Sequence, residues 1–456
     1  MIARFWLEHA WLGEGAAGGA GGDPDGQGGG VADAVLVTVE DERFAAVEVG
    51  VEAPPGAHRL PGLTVPGMAN CHSHAFHRGL RGRTQRGRGT FWTWREEMYA
   101  LAGRLDPDGY YELARATYRE MVLSGYTSVG EFHYLHHGPR GARYDNPNAM
   151  GLAVVEAARD AGIRIALLDT CYLASGIGTA PQGVQERFGD GDAEGWAARL
   201  EHLEYRAGDD VVVGAAVHSV RAVPPEQMQV VASWAEAHEA PLHVHLSEQV
   251  AENDACFEAY GMTPTGLLEE AGVLGERTSV VHATHLSDAD VEALGRHRVF
   301  ACFCPTTERD LGDGIGRSRE PRRAGATLTL GSDSHAMIDA FEEMRAVELD
   351  ERLARQERGH WSAAELLTAA TEHGHRSLGF HDVGRIAVGA HADLVTLDLR
   401  SPRTAGAGAT AESAVFAAAA GDVVHVVRDG QVVATGEDRV EVGQQLDSVI
   451  SKIWGR

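Results

Sequence analysis

The sequence of 456 residues contains a single lysine, Lys452, close to the C-terminal end. A lysine Schiff base, a lysine-containing phosphate loop and a carboxylated lysine that bridges two metal ions all require a lysine within the body of the fold. These three kinds of chemistry are therefore excluded for this chain. Any cationic binding site must be built from arginine or histidine.

Positive charge and cysteine are also scarce. The 40 lysine and arginine residues face 66 aspartate and glutamate residues, which gives a formal net charge of −26. This balance argues against nucleic acid or an anionic membrane surface as a partner. The five cysteines form no disulfide framework, no apolar run reaches the roughly 18 residues of a membrane span, and the first residues lack the layout of a signal peptide. We therefore expect a cytoplasmic protein with no membrane segment.

Short apolar runs alternate with amphipathic helical stretches through the middle of the chain. Consecutive strands that are joined by a helix run parallel, and eight such units close into an α/β fold, the (β/α)₈ or TIM barrel. A doubly wound open sheet is the alternative, but no glycine-rich phosphate fingerprint follows the first run. The eight runs are 62–73, 127–134, 164–172, 211–219, 241–247, 279–286, 299–305 and 326–334.

The two ends of the chain have the alternating pattern of half-buried β-strands. Residues 34–39 and 44–49 predict a hairpin, and residues 392–397, 423–428 and 431–434 predict further strands. We expect these strands to pair into a small β-sandwich domain.

The predicted domain limits follow from these patterns. The composite β-sandwich domain takes residues 1–64 and 382–444, the barrel takes residues 65–381, and residues 445–456 form a C-terminal tail. The glycine-rich insert 14–30 has no core residues and predicts a surface loop.

Residues that can bind a metal ion or carry a proton occur at four predicted barrel strands. The first run contains His72 near its end and is followed directly by His74; the fifth run contains His245, the sixth His282 and the eighth Asp333. Each has an ordinary structural explanation on its own, since a lone histidine is more often a buried core residue and an aspartate after a strand can cap a helix. The C-terminal ends of barrel strands, however, meet at one mouth, where active sites lie. Their joint occurrence predicts a metal-dependent active site.

The composition of this site predicts one metal ion. A second ion would need a bridging ligand, and the fourth run contains no lysine to form one. We expect one divalent ion per chain, with Zn²⁺ as the expected metal, because three imidazoles and one carboxylate suit a borderline cation and leave a position for water. Glu248, His282 and the second oxygen of Asp333 remain as proton carriers for hydrolysis. The expected ligands are His72, His74, His245 and Asp333.

Nine segments of the chain carry a more specific pattern than the metal ligands alone: NCHSHAFHRGLRG, FWTWREEMY, EFHYLHHG, VHSVRAV, HVHLSEQ, VHATHL, CPTTERDLGDGI, GSDSH and EEMRAVELDERL. The fold and the expected ligands resemble the amidohydrolase superfamily over nearly the whole chain, and these segments resemble one family within it, the N-formimidoyl-L-glutamate deiminases. That resemblance implies hydrolysis of N-formimidoyl-L-glutamate, a small dianionic substrate derived from an amino acid, to N-formyl-L-glutamate and ammonia in histidine degradation.

The resemblance also implies roles for individual residues. It makes the four expected ligands the metal site and Glu248, His282 and Asp333 the catalytic groups. His77 stands where many members of the family have glutamine, and either side chain can donate a hydrogen bond. The insert 14–30 has no counterpart in the family pattern. The implied substrate contacts are His77, Arg95, Tyr134, His218 and Arg221.

Two alternative functions remain open at this point. A nucleobase or S-adenosylhomocysteine deaminase would use the same metal and proton carriers, but a purine needs an apolar stacking pocket, whereas a dianion needs cations such as Arg95 and Arg221. A catalytically inactive barrel used as a scaffold would have lost ligands, and every expected ligand is present. Dimers are the commonest closed assemblies, so a homodimer is the expectation.

Overall fold

A computed structural model describes residues 2–13, 30–85, 89–203 and 210–455, without the side chains of residues 91 and 92. Residues 14–29 of the glycine-rich insert lie outside this set. In chain order the strands are β1 (Ala3–Trp11), β2 (Val31–Glu40), β3 (Arg43–Glu48), β4 (His58–Pro66), β5 (Met68–Ser73), β6 (Tyr126–His133), β7 (Arg164–Cys171), β8 (Val211–Ser219), β9 (Leu242–Leu246), β10 (Thr278–His282), β11 (Phe300–Phe303), β12 (Thr327–Leu330), β13 (Leu394–Leu397), β14 (Val423–Arg428) and β15 (Gln431–Thr435).

The barrel is built from β5 to β12, which neighbour one another in chain order and pair in parallel. Its first and last strands meet at their C-terminal ends. There Ser73 bridges to Asp333, and the backbone nitrogens of Ser332 and Asp333 donate to the His72 carbonyl at 3.2 and 2.9 Å. The predicted (β/α)₈ barrel is confirmed, and it closes at the segments that carry three of the expected metal ligands.

Helices pack against the barrel strands, for example α3 (Ala149–Ala161) on β7 and α5 (Pro225–Ala237) on β8. Strands β6 and β7 are buried at every position, as expected for parallel strands covered on both faces. None of the described helices combines the length and apolar character that crossing a membrane requires. The helices are α1 (Phe91–Ala102), α2 (Pro107–Leu123), α3 (Ala149–Ala161), α4 (Ala193–Leu200), α5 (Pro225–Ala237), α6 (Val250–Tyr260), α7 (Pro264–Glu270), α8 (Asp288–Arg296), α9 (Pro305–Leu311), α10 (Arg319–Ala324), α11 (Ala340–Arg355), α12 (Ala363–Thr368), α13 (Gly374–Ser377), α14 (Ala411–Phe416) and α15 (Arg439–Trp454).

Strands from both chain ends form a second sheet of seven strands, in the order β15-β14-β13-β4-β1-β2-β3. Strand β4 joins the two ends, because it pairs in parallel with β1 and antiparallel with β13. Phe5, Val37, Phe44 and Leu394 belong to a buried core separate from that of the barrel. The predicted β domain from both chain ends is confirmed, and its described strands are hydrogen-bonded in one continuous order.

Two elements cross the predicted domain limits. The run 62–73 divides into β4, which ends at Pro66, and β5, which begins at Met68. Gly67 between them lies so close to the barrel that a Cβ atom there would be 2.3 Å from Thr127 Oγ1. At the other end α15 runs through residue 444 without a break, so the predicted limit between the β domain and the C-terminal tail falls inside a helix. The remaining domain limits stay a prediction.

A buried ion cluster connects the two sheets. Arg164 at the start of β7 is 1% exposed and pairs with Asp393 and Asp429 of the β domain. His391 Nδ1 lies 2.7 Å from Asp429 Oδ1 and completes the cluster. These ion pairs therefore hold the barrel and the β domain together. Removal of any one partner would leave a buried charge unpaired, which destabilises the fold.

Candidate metal centre and active site

The four expected metal ligands converge at the C-terminal mouth of the barrel. His72 lies in β5 and His74 directly follows it, His245 lies in β9, and Asp333 follows β12. All four are buried, and one donor atom from each lies within 4.8 Å of the others. Asp333 Oδ1 is 3.5 Å from His72 Nε2 and 3.3 Å from His74 Nε2. The side chains that sequence reasoning grouped together are thus neighbours in space.

The orientations of the imidazoles fit metal binding. His74 Nδ1 lies 2.9 Å from the carbonyl oxygen of Phe132, and His245 Nδ1 lies 3.0 Å from that of His218. Each Nδ1 therefore donates its hydrogen to a carbonyl and leaves a lone pair on Nε2. His245 Nε2 then faces His72 Nε2 at 3.1 Å beside a carboxylate. Three imidazoles and one carboxylate in this arrangement form a donor set that Zn²⁺ accepts.

A hydrogen-bond network behind the ligands was missed in the sequence. His335 Nε2 lies 3.1 Å from Ser73 Oγ, and His335 Nδ1 lies 3.0 Å from Ser332 Oγ. Ser73 also donates to Glu131 at 2.7 Å, and the same carboxylate accepts from the Ala75 nitrogen at 2.7 Å. Ser73 lies between two ligands and Ser332 precedes the third, so His335 bridges the two ligand-bearing segments. In the sequence, only the position of His335 in the GSDSH segment, two residues after Asp333, could have indicated this role.

The expected proton carriers surround the same point. His282 Nε2 lies 3.8 Å from Asp333 Oδ2 and 3.9 Å from Glu248 Oε1, while His282 Nδ1 lies 3.4 Å from Glu308 Oε1. Burial by itself would lower the pKa of His282, but Glu248, Glu308 and Asp333 together raise it to about 10. His282 at the end of β10 has φ of +71° and Asp333 has φ of +40°. Such sparsely populated backbone conformations cluster at functional sites.

The five expected substrate contacts line one cleft above the metal ligands. His77 Nε2 lies 2.9 Å from the Tyr134 hydroxyl, and the His77 ring packs edge-on against Trp94. Burial lowers the pKa values of His77 and His218 well below the usual histidine range, which favours neutral rings. The lining residues that are expected to contact substrate are His77, Arg95, Tyr134, His218 and Arg221.

Each arginine of the cleft is held by a residue that sequence reasoning missed. Arg221 Nε lies 3.0 Å from Glu252 Oε2, and Arg221 Nη2 lies 3.5 Å from Glu248 Oε2. Arg95 on α1 donates from Nε to the Tyr99 hydroxyl at 2.5 Å. Tyr99 follows Arg95 by four residues, a spacing that places both on one helix face and could have revealed the pair. Nothing in the sequence pattern marked Glu252.

The histidines of the EFHYLHHG segment belong mainly to a different cluster. His133, His136 and Asp169 lie within ligand distance of one another. Arg199, however, donates to the two oxygens of Asp169 at 2.7 and 3.0 Å, and Trp196 donates to it at 2.9 Å. Burial alone would raise the pKa of Asp169, but Arg199 holds it below its usual range. A guanidinium already supplies the positive charge here, so this cluster is a buried structural ion pair.

Comparison with known proteins agrees with this geometry. The sequence profile described as the amidohydrolase family matches residues 63–433. The chain belongs to the amidohydrolase family. It is therefore a hydrolase of a metal-dependent family, and its cluster of histidine and aspartate is the candidate metal site.

The relatives of this chain in the amidohydrolase family include deaminases and deiminases named for different substrates. A formimidoylglutamate deiminase of Pseudomonas aeruginosa is 38% identical over 366 residues, covering 77% of this chain and 80% of that protein. A 5-methylthioadenosine/S-adenosylhomocysteine deaminase of Natronomonas pharaonis is 28% identical, covering 83% and 82%. The crystal structure of an amidohydrolase from Brucella melitensis superposes with a TM-score of 0.86 at 31% identity, covering 99% of this chain and 100% of that one.

Proposed function

We propose that this protein hydrolyses N-formimidoyl-L-glutamate to N-formyl-L-glutamate and ammonia, a reaction of histidine degradation. The observation that carries the proposal is the presence of two arginines, Arg95 and Arg221, in the cleft that also contains the metal ligands and proton carriers. The net charge of the chain is −26 and would repel a dianion, although physiological salt screens that repulsion beyond roughly 8 Å. Binding of a dianionic substrate therefore depends on cations inside the cleft. The 38% identical deiminase supports the same substrate.

The metal in this proposal is one divalent ion per chain, Zn²⁺. His72, His74, His245 and Asp333 would hold it. An ion in this position supplies Lewis acidity, which makes a nucleophile for hydrolysis available from water at neutral pH. No lysine lies near the site to bridge a second ion, because the only lysine is Lys452.

Three side chains move the protons. Asp333 accepts the proton of the water that attacks the formimidoyl carbon, because His282, 3.8 Å away, has a pKa raised to about 10 and already carries its proton at neutral pH. Glu248 delivers a proton to the terminal nitrogen, so that the bond between carbon and nitrogen breaks and ammonia leaves. His282, held on its other side by Glu308, stabilises the charged intermediate. Each transfer stays within one small cluster of groups.

The cleft residues bind and orient the substrate. Arg95 and Arg221 each offer a planar fork of donors that can meet a carboxylate with two hydrogen bonds. His77, Tyr134 and His218 add single polar contacts at the wall between the arginines and the metal ligands. The enzyme acts in the cytoplasm as a homodimer, on a small molecule and not on nucleic acid or membrane.

Product analysis tests the proposal. The purified protein loaded with Zn²⁺ should release ammonia and N-formyl-L-glutamate from N-formimidoyl-L-glutamate in equal amounts. Removal of the metal with a chelator should abolish turnover, and Zn²⁺ should restore it. A metal-loaded protein that retains the substrate unchanged would contradict the proposed function.

A further inference from the structure

Gln185 is a buried polar residue beside the cleft, in the connection between β7 and β8, and 4% of its surface is exposed. Its side-chain oxygen accepts a hydrogen bond from the backbone nitrogen of Gln182 at 3.3 Å. This contact fixes the orientation of the amide, because the oxygen must face that nitrogen. The amide NH₂ group of Gln185 is therefore turned the other way, towards the cleft wall.

That NH₂ group holds two tyrosines of the cleft. Gln185 Nε2 donates to the Tyr99 hydroxyl at 3.0 Å and to the Tyr172 hydroxyl at 2.8 Å. Tyr99 accepts a second hydrogen bond, from Arg95 Nε at 2.5 Å. Its oxygen has two lone pairs, and both are then occupied. The hydroxyl hydrogen of Tyr99 can only be donated elsewhere.

The hydroxyl hydrogens of Tyr99 and Tyr172 have no protein acceptor within hydrogen-bond distance among the described residues. Both side chains line the cleft together with Arg95. Burial raises the pKa of Tyr172, so its phenol remains protonated at neutral pH. A carboxylate has about four acceptor positions and could receive both hydroxyl hydrogens as well as the guanidinium.

We infer that Tyr99 and Tyr172, held as a pair by Gln185, complete a carboxylate subsite around Arg95. The inference rests on the proposed function and extends it: the two tyrosines touch the substrate carboxylate, while Gln185 acts through them as a positioning residue. A guanidinium alone would bind any anion that reaches it, whereas two further donors at fixed positions favour a planar carboxylate. The subsite thus contributes specificity as well as charge.

Steady-state kinetics of Tyr99→Phe and Tyr172→Phe test the contacts. Each change removes one hydrogen bond to a charged group, so KM for N-formimidoyl-L-glutamate should rise by about tenfold or more, with kcat within about twofold of the wild type. Tyr111→Phe is the matched control. The Tyr111 hydroxyl donates to the exposed Asp160 at 2.5 Å, and Tyr111 does not line the cleft. Two separate tyrosine variants keep the test available if one of them fails to fold.

Gln185→Glu tests the positioning role. The new carboxylate has nearly the same shape but accepts hydrogen bonds, so it should draw both hydroxyl hydrogens out of the cleft. We expect KM to rise at least as much as in either tyrosine variant, measured at a temperature well below the melting temperature of the variant, because a carboxylate buried at this position costs stability. A fall in kcat without a change in KM would show a merely structural role and would overturn the assignment.

Two analogues, each lacking one carboxylate, separate the possible failures. Against N-formimidoyl-4-aminobutyrate and N-formimidoyl-2-aminobutyrate, the penalty of the tyrosine variants should disappear for one analogue and persist for the other. Equal penalties on all three substrates, or none on N-formimidoyl-L-glutamate, would refute the subsite while leaving the proposed function intact. A wild type without activity on N-formimidoyl-L-glutamate would instead contradict the proposed function itself, and the subsite with it.

Discussion

Replacement of Arg221 by methionine would remove a guanidinium that contacts both the cleft and a buried carboxylate. Arg221 Nε lies 3.0 Å from Glu252 Oε2, and the side chain of Glu252 is 0% exposed. Glu252 also accepts from the backbone nitrogen of Ser247 at 3.0 Å. The arginine is therefore open to two interpretations, a substrate contact or one half of a structural ion pair, and the same substitution affects both.

The two effects differ in size and in the quantity that reports them. Loss of Arg221 leaves the buried Glu252 carboxylate without its cation, which typically lowers the free energy of unfolding by roughly 3 to 5 kcal/mol. We expect a value near the lower end of this range, because 22% of the Arg221 side chain is exposed and solvent weakens the ion pair. Loss of a bidentate contact to a substrate carboxylate should cost about 2 to 4 kcal/mol in kcat/KM, or roughly 30- to 1000-fold.

A second substitution separates the two effects. Glu252→Gln removes the stranded charge, keeps the shape and preserves the acceptor for Ser247, so Arg221→Met combined with Glu252→Gln should recover most of the lost stability. Urea unfolding measures the free energy of unfolding, and coupled ammonia release measures kcat/KM. Glu252→Gln alone is the matched control, in which Arg221 keeps its contact with Glu248 at 3.5 Å.

The double variant should be stable but still impaired on N-formimidoyl-L-glutamate. If kcat/KM returned together with stability, Arg221 would serve the fold alone, and the argument for dianion binding would lose one of its two cations. If neither quantity changed in Arg221→Met, the ion pair with Glu252 would contribute nothing and the stated energies would be wrong.

Further predictions concern the metal, the proton carriers and the contact between domains. His245→Ala should lose both the bound ion and activity, measured as metal content against about one ion per chain in the wild type. Glu248→Gln should keep its metal and lose at least ~10²-fold in kcat; unchanged turnover would refute its role as proton donor. His335→Ala should speed metal loss to a chelator while the circular dichroism stays unchanged, because the bridge between the two ligand segments is removed; equal rates of loss would contradict this. Asp393→Ala should lower the free energy of unfolding by roughly 3 to 5 kcal/mol by leaving Arg164 with only one carboxylate, and a shift below about 1 kcal/mol would show that the pair is not needed for stability.

The sequence predicts the barrel and its ligands well for a physical reason. Parallel strands that are covered on both faces must be apolar throughout, so runs such as 211–219 are visible against the amphipathic helices between them. The C-terminal ends of these strands then meet, which is why His72, His245 and Asp333 could be grouped although they lie far apart in the chain. The hydrophobic periodicity of the sequence and the topology of a parallel barrel are therefore enough to predict the strands and the grouping of the ligands. No knowledge of side-chain packing is required.

The parts that could not be predicted depend on tertiary contacts. Gly67, where the run divides into β4 and β5, packs closely against Thr127, a contact that no local pattern records. The bridge through His335 and the hydrogen bonds of Gln185 join segments distant in sequence, and Gln185 lies in a connection without hydrophobic periodicity. Helix α15 continues through residue 444, with Val442 and Leu446 buried on either side of the predicted limit. Partners of this kind become visible only when the fold brings them together.

The most direct test of the account is a comparison of kcat/KM for N-formimidoyl-L-glutamate with kcat/KM for 5-methylthioadenosine and S-adenosylhomocysteine, all measured by ammonia release from the same zinc-loaded preparation. A cleft with two arginines should turn over the dianion with kcat/KM above ~10⁴ M⁻¹ s⁻¹ and each nucleoside at least about 10³-fold more slowly. Deamination of either nucleoside at a rate equal to or above that of N-formimidoyl-L-glutamate would contradict the account.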